Sequence, residues 1–194
     1  MKTQVVVNAN AAAFAGEPRL IAEVRQSAVG ADRVVVTRDL DELARAAAAM
    51  RADGVERVVL CGGDGTYMAG ITALAATGLD RLPEVCLAPG GTVATVAKNL
   101  GTRLGLLETV RRATTASSRL AVIEHPTLRV SETGGVTRIG FIFGTGLVAR
   151  FFQRYYQAGA GGHAAAAKIV ARVFVGSFVS DAYSRSVLDP LPRK

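Results

Sequence analysis

Short apolar runs recur along the first hundred residues, and each is followed by a stretch with helical spacing. The runs at residues 4–7, 33–36, 57–61 and 84–88 are rich in Val and Leu and too short for buried helices, so they predict strands. Between them, residues 17–29, 39–52 and 67–76 carry the 3.6-residue pattern of amphipathic helices, and a further helix is predicted to run to Leu100. Asp39 with Glu42 three residues on forms a capping-box pattern, while Gly54 and Gly78 stand where helices should stop. Strand and helix alternating at this spacing require right-handed crossovers. The prediction is an α/β domain with a doubly wound, mostly parallel sheet.

The pattern changes near Leu120. The segment "RLAVIEHPTLRVSETGGVTRIGFIFGTG" contains two or three strand-like runs around a Gly-Gly turn, with no helix between them, which predicts antiparallel pairing. A boundary is therefore expected near residue 118, dividing an α/β domain (residues 1–118) from the start of a β-rich domain (residues 119–194). Arg111 and Arg112 look like the last turn of a helix, where cations suit the dipole. Residues 147–183 return to helical patterning, and the β-rich part is expected to be incomplete.

Composition narrows the class. Of 194 residues, 49% are hydrophobic and 20% charged, which implies a buried core and argues against disorder. The net charge of +7 and a pI near 10.0 suit an anionic partner such as a nucleotide, a nucleic acid or acidic lipid headgroups, without choosing among them. Cys61 and Cys86 fall in predicted buried strands and read as structural thiols. The opening lacks a signal-peptide pattern and no run approaches the length of a membrane span, so a cytoplasmic protein is expected.

The chemistry concentrates in two turns. "GGDGT" (Gly62, Gly63, Asp64, Gly65, Thr66) follows the third strand, and "PGGT" (through Gly91 and Thr92) follows the fourth. In an open α/β sheet both should lie at the carboxyl edge of the strands, where ligands bind, and each opens a helix whose unpaired N–H groups favour phosphate. An acidic residue inside such a turn suggests either a bridging Mg²⁺ or an oriented hydrogen-bond network. The blander reading, a tight turn with Asp64 as N-cap, stays open on spacing alone.

These residues resemble the diacylglycerol kinase catalytic-domain family, which includes sphingosine, ceramide and bacterial lipid kinases. "VVVNANA", "VVVTRDLDELARAAAA", "GGDGT" and "PGGTVATVAKNLG" look like four of its landmarks in order, and "FIFGTGLVARF" is similar to a strand early in its second domain. The resemblance implies an ATP-dependent lipid kinase that moves the γ-phosphoryl group to a lipid hydroxyl such as that of diacylglycerol. It implies that Gly62, Gly63, Asp64, Gly65 and Thr66 cradle the nucleotide phosphates with Mg²⁺ associated with Asp64. Gly91, Thr92 and Thr37 would contact the nucleotide, and Asn8 would support the first turn. The implied partners are ATP and a lipid at a membrane surface, with peripheral membrane association, no nucleic acid, and self-association through open sheet edges.

Several positions depart from the family pattern. Met68 and Ala69 stand where Asn and Glu are usual, Ala94 and Thr95 where polar residues are usual, and no acidic residue matches the family's general base. A catalytically inactive nucleotide- or lipid-binding module is therefore one alternative. An NAD kinase-like enzyme, which shares the "GGDGT" turn, is another; a 6-phosphofructokinase lacks its substrate-binding pattern here. His125 reads as a turn residue, and the Arg- and aromatic-rich "RFFQRYY" as an amphipathic helix, with the alternative that its arginines hold anionic lipid.

Overall fold

The alternation of apolar runs does produce strands, and their sides decide the architecture. The structure, a computed structural model, describes residues 1–92, 94–115 and 120–144. Four parallel strands, β1 (Thr3–Asn8), β2 (Arg33–Thr37), β3 (Arg57–Gly62) and β4 (Glu84–Pro89), form one sheet in the order β2-β1-β3-β4. Successive side chains leave a strand on opposite faces, and here both faces are apolar. Val5, Val7, Val59 and Cys61 meet α1 (Pro18–Ser27) and α5 (Leu106–Thr114), through Val24, Val110 and Ala113. Val6, Val58 and Leu60 meet α2 (Leu40–Ala52) and α3 (Asp64–Ala76), through Leu43, Met50, Tyr67 and Leu74. The doubly wound parallel α/β fold is thus as the sequence predicts.

That strand order places the functional edge. The crossover after β1 runs over one face and the crossover after β3 over the other, while β1 and β3 are neighbours, Val5 opposite Val59. Chains diverging from adjacent strands leave a crevice at their carboxyl ends. At the opposite, amino edge the buried Arg57 fastens three elements: its Nε and Nη2 donate to Glu84 at 2.9 and 2.7 Å, and its Nη1 to the carbonyl of Ala113 at 3.0 Å.

Element ends depart from the pattern in informative ways. Asp39 caps α2 by accepting from Glu42 N at 2.7 Å, but Glu42 returns its carboxylate to Arg38 N, one residue before the expected partner. Gly54 ends the helix region with φ +65°. Helix α3 begins at Asp64 rather than Tyr67, because Thr66 N and Tyr67 N both reach Gly63 O, drawing "DGT" into the first turn. The helix expected to run to Leu100 is α4 (Thr95–Asn99), capped by Leu100 and followed by Gly101 at φ +88°, before the separate α5. Arg111 and Arg112 do lie in the last turn of α5, both bonded to Glu108.

The β-rich segment begins as an antiparallel hairpin, β5 (Leu128–Ser131) and β6 (Thr137–Gly140), joined through Gly134 and Gly135. Residues 120–127, read as strand-like in sequence, form no strand. The chain divides into two units, Met1–Phe141 and Ile142–Lys194, and the hairpin falls in the first, against α3. The expected boundary near residue 118 lies in residues 116–119, outside the described residues, as do "RFFQRYY" and most of "FIFGTGLVARF". Among the described residues no helix is long and apolar enough to cross a membrane.

Candidate functional site

The two glycine turns come together because β3 and β4 are adjacent in register, with Gly62 opposite Pro89. Gly90 N donates to Gly62 O at 2.7 Å, and the backbones of Gly63 and Gly91 then touch: a Cβ on Gly63 would stand 3.1 Å from Gly91 Cα, and one on Gly91 would overlap Gly63 Cα. These glycines are needed for packing alone. Gly65 differs. Among the described residues a Cβ there would meet nothing within 4 Å, and its φ is not positive, so neither space nor backbone geometry within them requires glycine at this exposed position.

Asn8, at the end of β1, spans the crevice. Its Nδ2 donates to Thr66 Oγ1 at 2.8 Å, and its Oδ1 accepts from Asn10 N at 2.9 Å, so both ends of the amide are engaged. Thr66 is buried, held between Asn8 and Gly62, where any larger residue than glycine would strike its side chain. Thr37 ends the neighbouring strand with its hydroxyl buried 3.4 Å from Val7 O, and its carbonyl accepts from Ala9 N. Thr92 is exposed on the second turn. The expected residues therefore share one rim, Asn8 and Thr66 in direct contact and Thr37 one strand away.

Asp64 does not cap its own helix. Its Oδ2 accepts from Thr95 N at 3.1 Å and its Oδ1 from Val96 N at 2.9 Å, so it caps α4 from 31 residues upstream. The backbone N–H groups of Gly63, Asp64 and Gly65 have no acceptor among the described residues. The first turn of α3 thus presents unpaired donors at the positive end of a helix dipole.

Three contributors escaped the sequence reading. Ala13 N donates to Gly90 O at 3.0 Å, and Phe14 is buried against Gly90; a lone aromatic in the small-residue stretch "NANAAAFAGE" was the available signal. Tyr67 is fully buried and its hydroxyl has no partner among the described residues. Burial pushes the pKa of that hydroxyl up, with Asp64 adding to the effect, so it stays protonated. Burial likewise raises the Cys61 thiol, and lifts Cys86 to about 11 against the opposing pull of Arg57, in keeping with two unreactive structural thiols.

The departures at Met68 and Ala69 acquire a use. Met68 packs its thioether where Gly140 of β6 leaves room, and Ala69 packs on the core. Thr72, one turn on, donates to Ile139 O at 3.1 Å and accepts from Ile139 N at 2.9 Å, pairing both backbone groups of an edge residue of the hairpin. His125 is exposed, its Nδ1 near the carbonyl of Pro126, and no cluster of metal-ligating side chains occurs among the described residues. A concavity of about 350 Å³ beside β2 and α2, lined by Gln4, Arg33, Glu42 and Arg45, lies at the sheet edge, not at the glycine turns.

Comparison with solved structures finds partial matches. A diacylglycerol kinase from Bacillus anthracis str. Sterne matches with 23% identity over 58% of this chain and 39% of its own length, at a TM-score of 0.47. Another structure from that organism, with a provisional diacylglycerol kinase assignment, matches at 21% identity over 58% and 41%, with a TM-score of 0.45. The chain spans about two fifths of the length of these proteins. A comparison with the curated proteins found no significant match. The family model of the diacylglycerol kinase catalytic domain matches residues 2–124, which takes in every strand of the sheet and both glycine turns, and the chain belongs to that family.

Proposed function

We propose that this chain carries the nucleotide-binding part of an ATP-dependent lipid kinase, which transfers the γ-phosphoryl group of ATP to a lipid hydroxyl such as that of diacylglycerol. The observation that carries the reading is Gly65. It is a glycine that the described residues do not need, beside three backbone N–H groups that find no acceptor among them, at the crevice where the sheet's crossovers diverge. A phosphate approaching that backbone would need the space that a Cβ would fill.

In this reading Gly62 to Thr66 hold the phosphates, Gly91 and Thr92 flank them from the second turn, and Asn8 and Thr37 brace the rim. Phosphoryl transfer asks a protein mainly for positioning and charge neutralisation. Mg²⁺ supplies that neutralisation when bound. Asp64 is the one carboxylate in the two turns, and Mg²⁺ bridging phosphates commonly takes only one or two protein carboxylates with waters completing its shell. Its two oxygens already accept one N–H each, leaving lone pairs for a metal-bound water. The general base and the lipid acceptor site are assigned to the second domain, proposed to begin with the hairpin segment after residue 118.

The test is Gly65→Ala with Mg-ATP titrated by calorimetry. Because alanine suits a helix better than glycine, the variant should keep or gain stability, by up to about 1 kcal/mol. Its nucleotide affinity should fall at least about tenfold. Unchanged affinity would remove the phosphate site from this turn. A second reading, a nucleotide- or lipid-binding module without turnover, is favoured by Met68 serving the hairpin interface and Ala69 the core in place of polar side chains. Nucleotide binding with no phosphoryl transfer to diacylglycerol in a chain extended through the second domain would select it.

A further inference from the structure

The second turn lacks the means to hold itself. Helix α4 has five residues, too few for stability of its own, and its N-cap is Ala94, which offers no side-chain acceptor. Ala94 also sits at φ 51°, ψ 48°, a left-handed conformation that costs an alanine energy. The turn covers part of the buried cluster that includes Tyr67, whose hydroxyl has no partner among the described residues. Each feature works against this conformation.

What opposes them comes from the first turn. The Asp64 carboxylate accepts from Thr95 N and Val96 N, one oxygen each, and its charge lies between the N-termini of α3 and α4. Below it the backbones touch at Gly63 and Gly91, and Gly90 N donates to Gly62 O. We propose that Asp64 is a positioning residue that clamps the second glycine turn to the first, so that the two walls of the rim are set at a fixed separation by one side chain. This rests on the nucleotide-binding reading for its consequence, while the clamp itself is a property of the free protein. The phosphate-facing donors of the first turn and Thr92 of the second then arrive together only while the carboxylate bridges them.

Two variants separate this role from metal ligation. Asp64→Asn and Asp64→Ala both remove the charge, but only asparagine keeps an acceptor oxygen for an amide of α4. Amide hydrogen exchange of Thr95 and Val96, followed by NMR without nucleotide, should accelerate at least about tenfold in Asp64→Ala and clearly less in Asp64→Asn. Equal exchange in wild type and Asp64→Ala would overturn the clamp. With ATP, Asp64→Ala should bind about tenfold more weakly than Asp64→Asn, whether Mg²⁺ is present or chelated. If instead the two variants bind alike, and both differ from wild type only when Mg²⁺ is present, Asp64 acts on the metal and the positioning role falls. If wild type binds no nucleotide while the exchange difference holds, the clamp stands and the nucleotide reading fails. A collapsed Asp64→Ala would show as loss of protection throughout the sheet, and Asp64→Asn against wild type then decides, with faster exchange at Thr95 or Val96 alone supporting the clamp and unchanged exchange at both refuting it.

Discussion

The two glycine turns occupy equivalent positions at the ends of neighbouring strands, yet they are built differently. The turn after β3 is braced from below by Asn8 and leads into a 13-residue helix that buries Tyr67, Ile71 and Leu74. The turn after β4 leads into five helical residues, contains a strained alanine, and is held by a carboxylate belonging to its neighbour. A long helix anchored in a core makes a turn rigid without help. A short one must borrow its rigidity, and the site then depends on the contact between the turns.

The largest effect should come from separating them. Gly91→Ala places a methyl group into the Gly63 backbone, which has no rotamer to escape by, so the rim must part. The expected loss of stability is about 3 kcal/mol, measured by urea unfolding. A loss under about 1 kcal/mol would show that the second turn shifts freely, and that the contact does not fix it. The contrast with Gly65→Ala, where nothing lies in the way, tells the glycines that the fold needs from the one it does not.

Next comes the brace under the first turn. Asn8→Ala leaves the buried Thr66 hydroxyl without its partner, 2.8 Å away in the wild type, and frees Asn10 N. A destabilisation of about 1–2 kcal/mol is expected, with faster amide exchange in residues 62–66 than in residues 90–92. Equal changes in both turns would mean that the brace serves the whole rim, and the distinction between a self-supported and a borrowed turn would fail.

How much of this was legible follows from what each element depends on. The strands, the parallel order and the shared rim were readable because they follow from apolar periodicity and from glycines at strand ends, which are local signals. The Asn8 contact was named through resemblance to a family, and the structure supplies its partner, Thr66. The three uses of Asp64 weighed from sequence were a metal bridge, a hydrogen-bond network and an N-cap. The structure gives a network in which it caps the wrong helix, because pairing across 31 residues leaves no trace in spacing. The end of the fourth helix at Leu100 was readable because Gly101 marks it, at φ +88°. Met68 and Ala69 looked like losses in a binding turn. Met68 is explicable only once β6, some seventy residues on, is seen against α3, and Ala69 once it is seen on the core.

A third measurement concerns a side chain buried in the first turn of α3. Among the described residues the buried Tyr67 hydroxyl has no partner, a desolvation cost carried by α3. Tyr67→Phe should therefore stabilise the protein by about 1 kcal/mol in thermal or urea unfolding. A comparable loss would reveal that the hydroxyl does have a partner in solution and that this part of the rim is hydrated.

The smallest effect isolates the strain. At Ala94 the left-handed backbone costs roughly 1–2 kcal/mol for a residue with a Cβ, and glycine would relieve it. Against that stand the lost burial of one methyl group, about 0.8 kcal/mol, and the greater backbone freedom of glycine when unfolded. Ala94→Gly should thus raise stability by no more than about 0.5 kcal/mol, with the relief and the losses nearly cancelling. The sharper readout is local. If the Asp64 carboxylate is what holds α4 against this strain, relieving the strain should slow amide exchange at Thr95 and Val96 in the Asp64→Ala background more than in wild type, a coupling between two sites that a double-mutant cycle measures directly. Additive effects would mean that the clamp and the strain act independently, and the second turn would then be held chiefly by the glycine backbones beneath it.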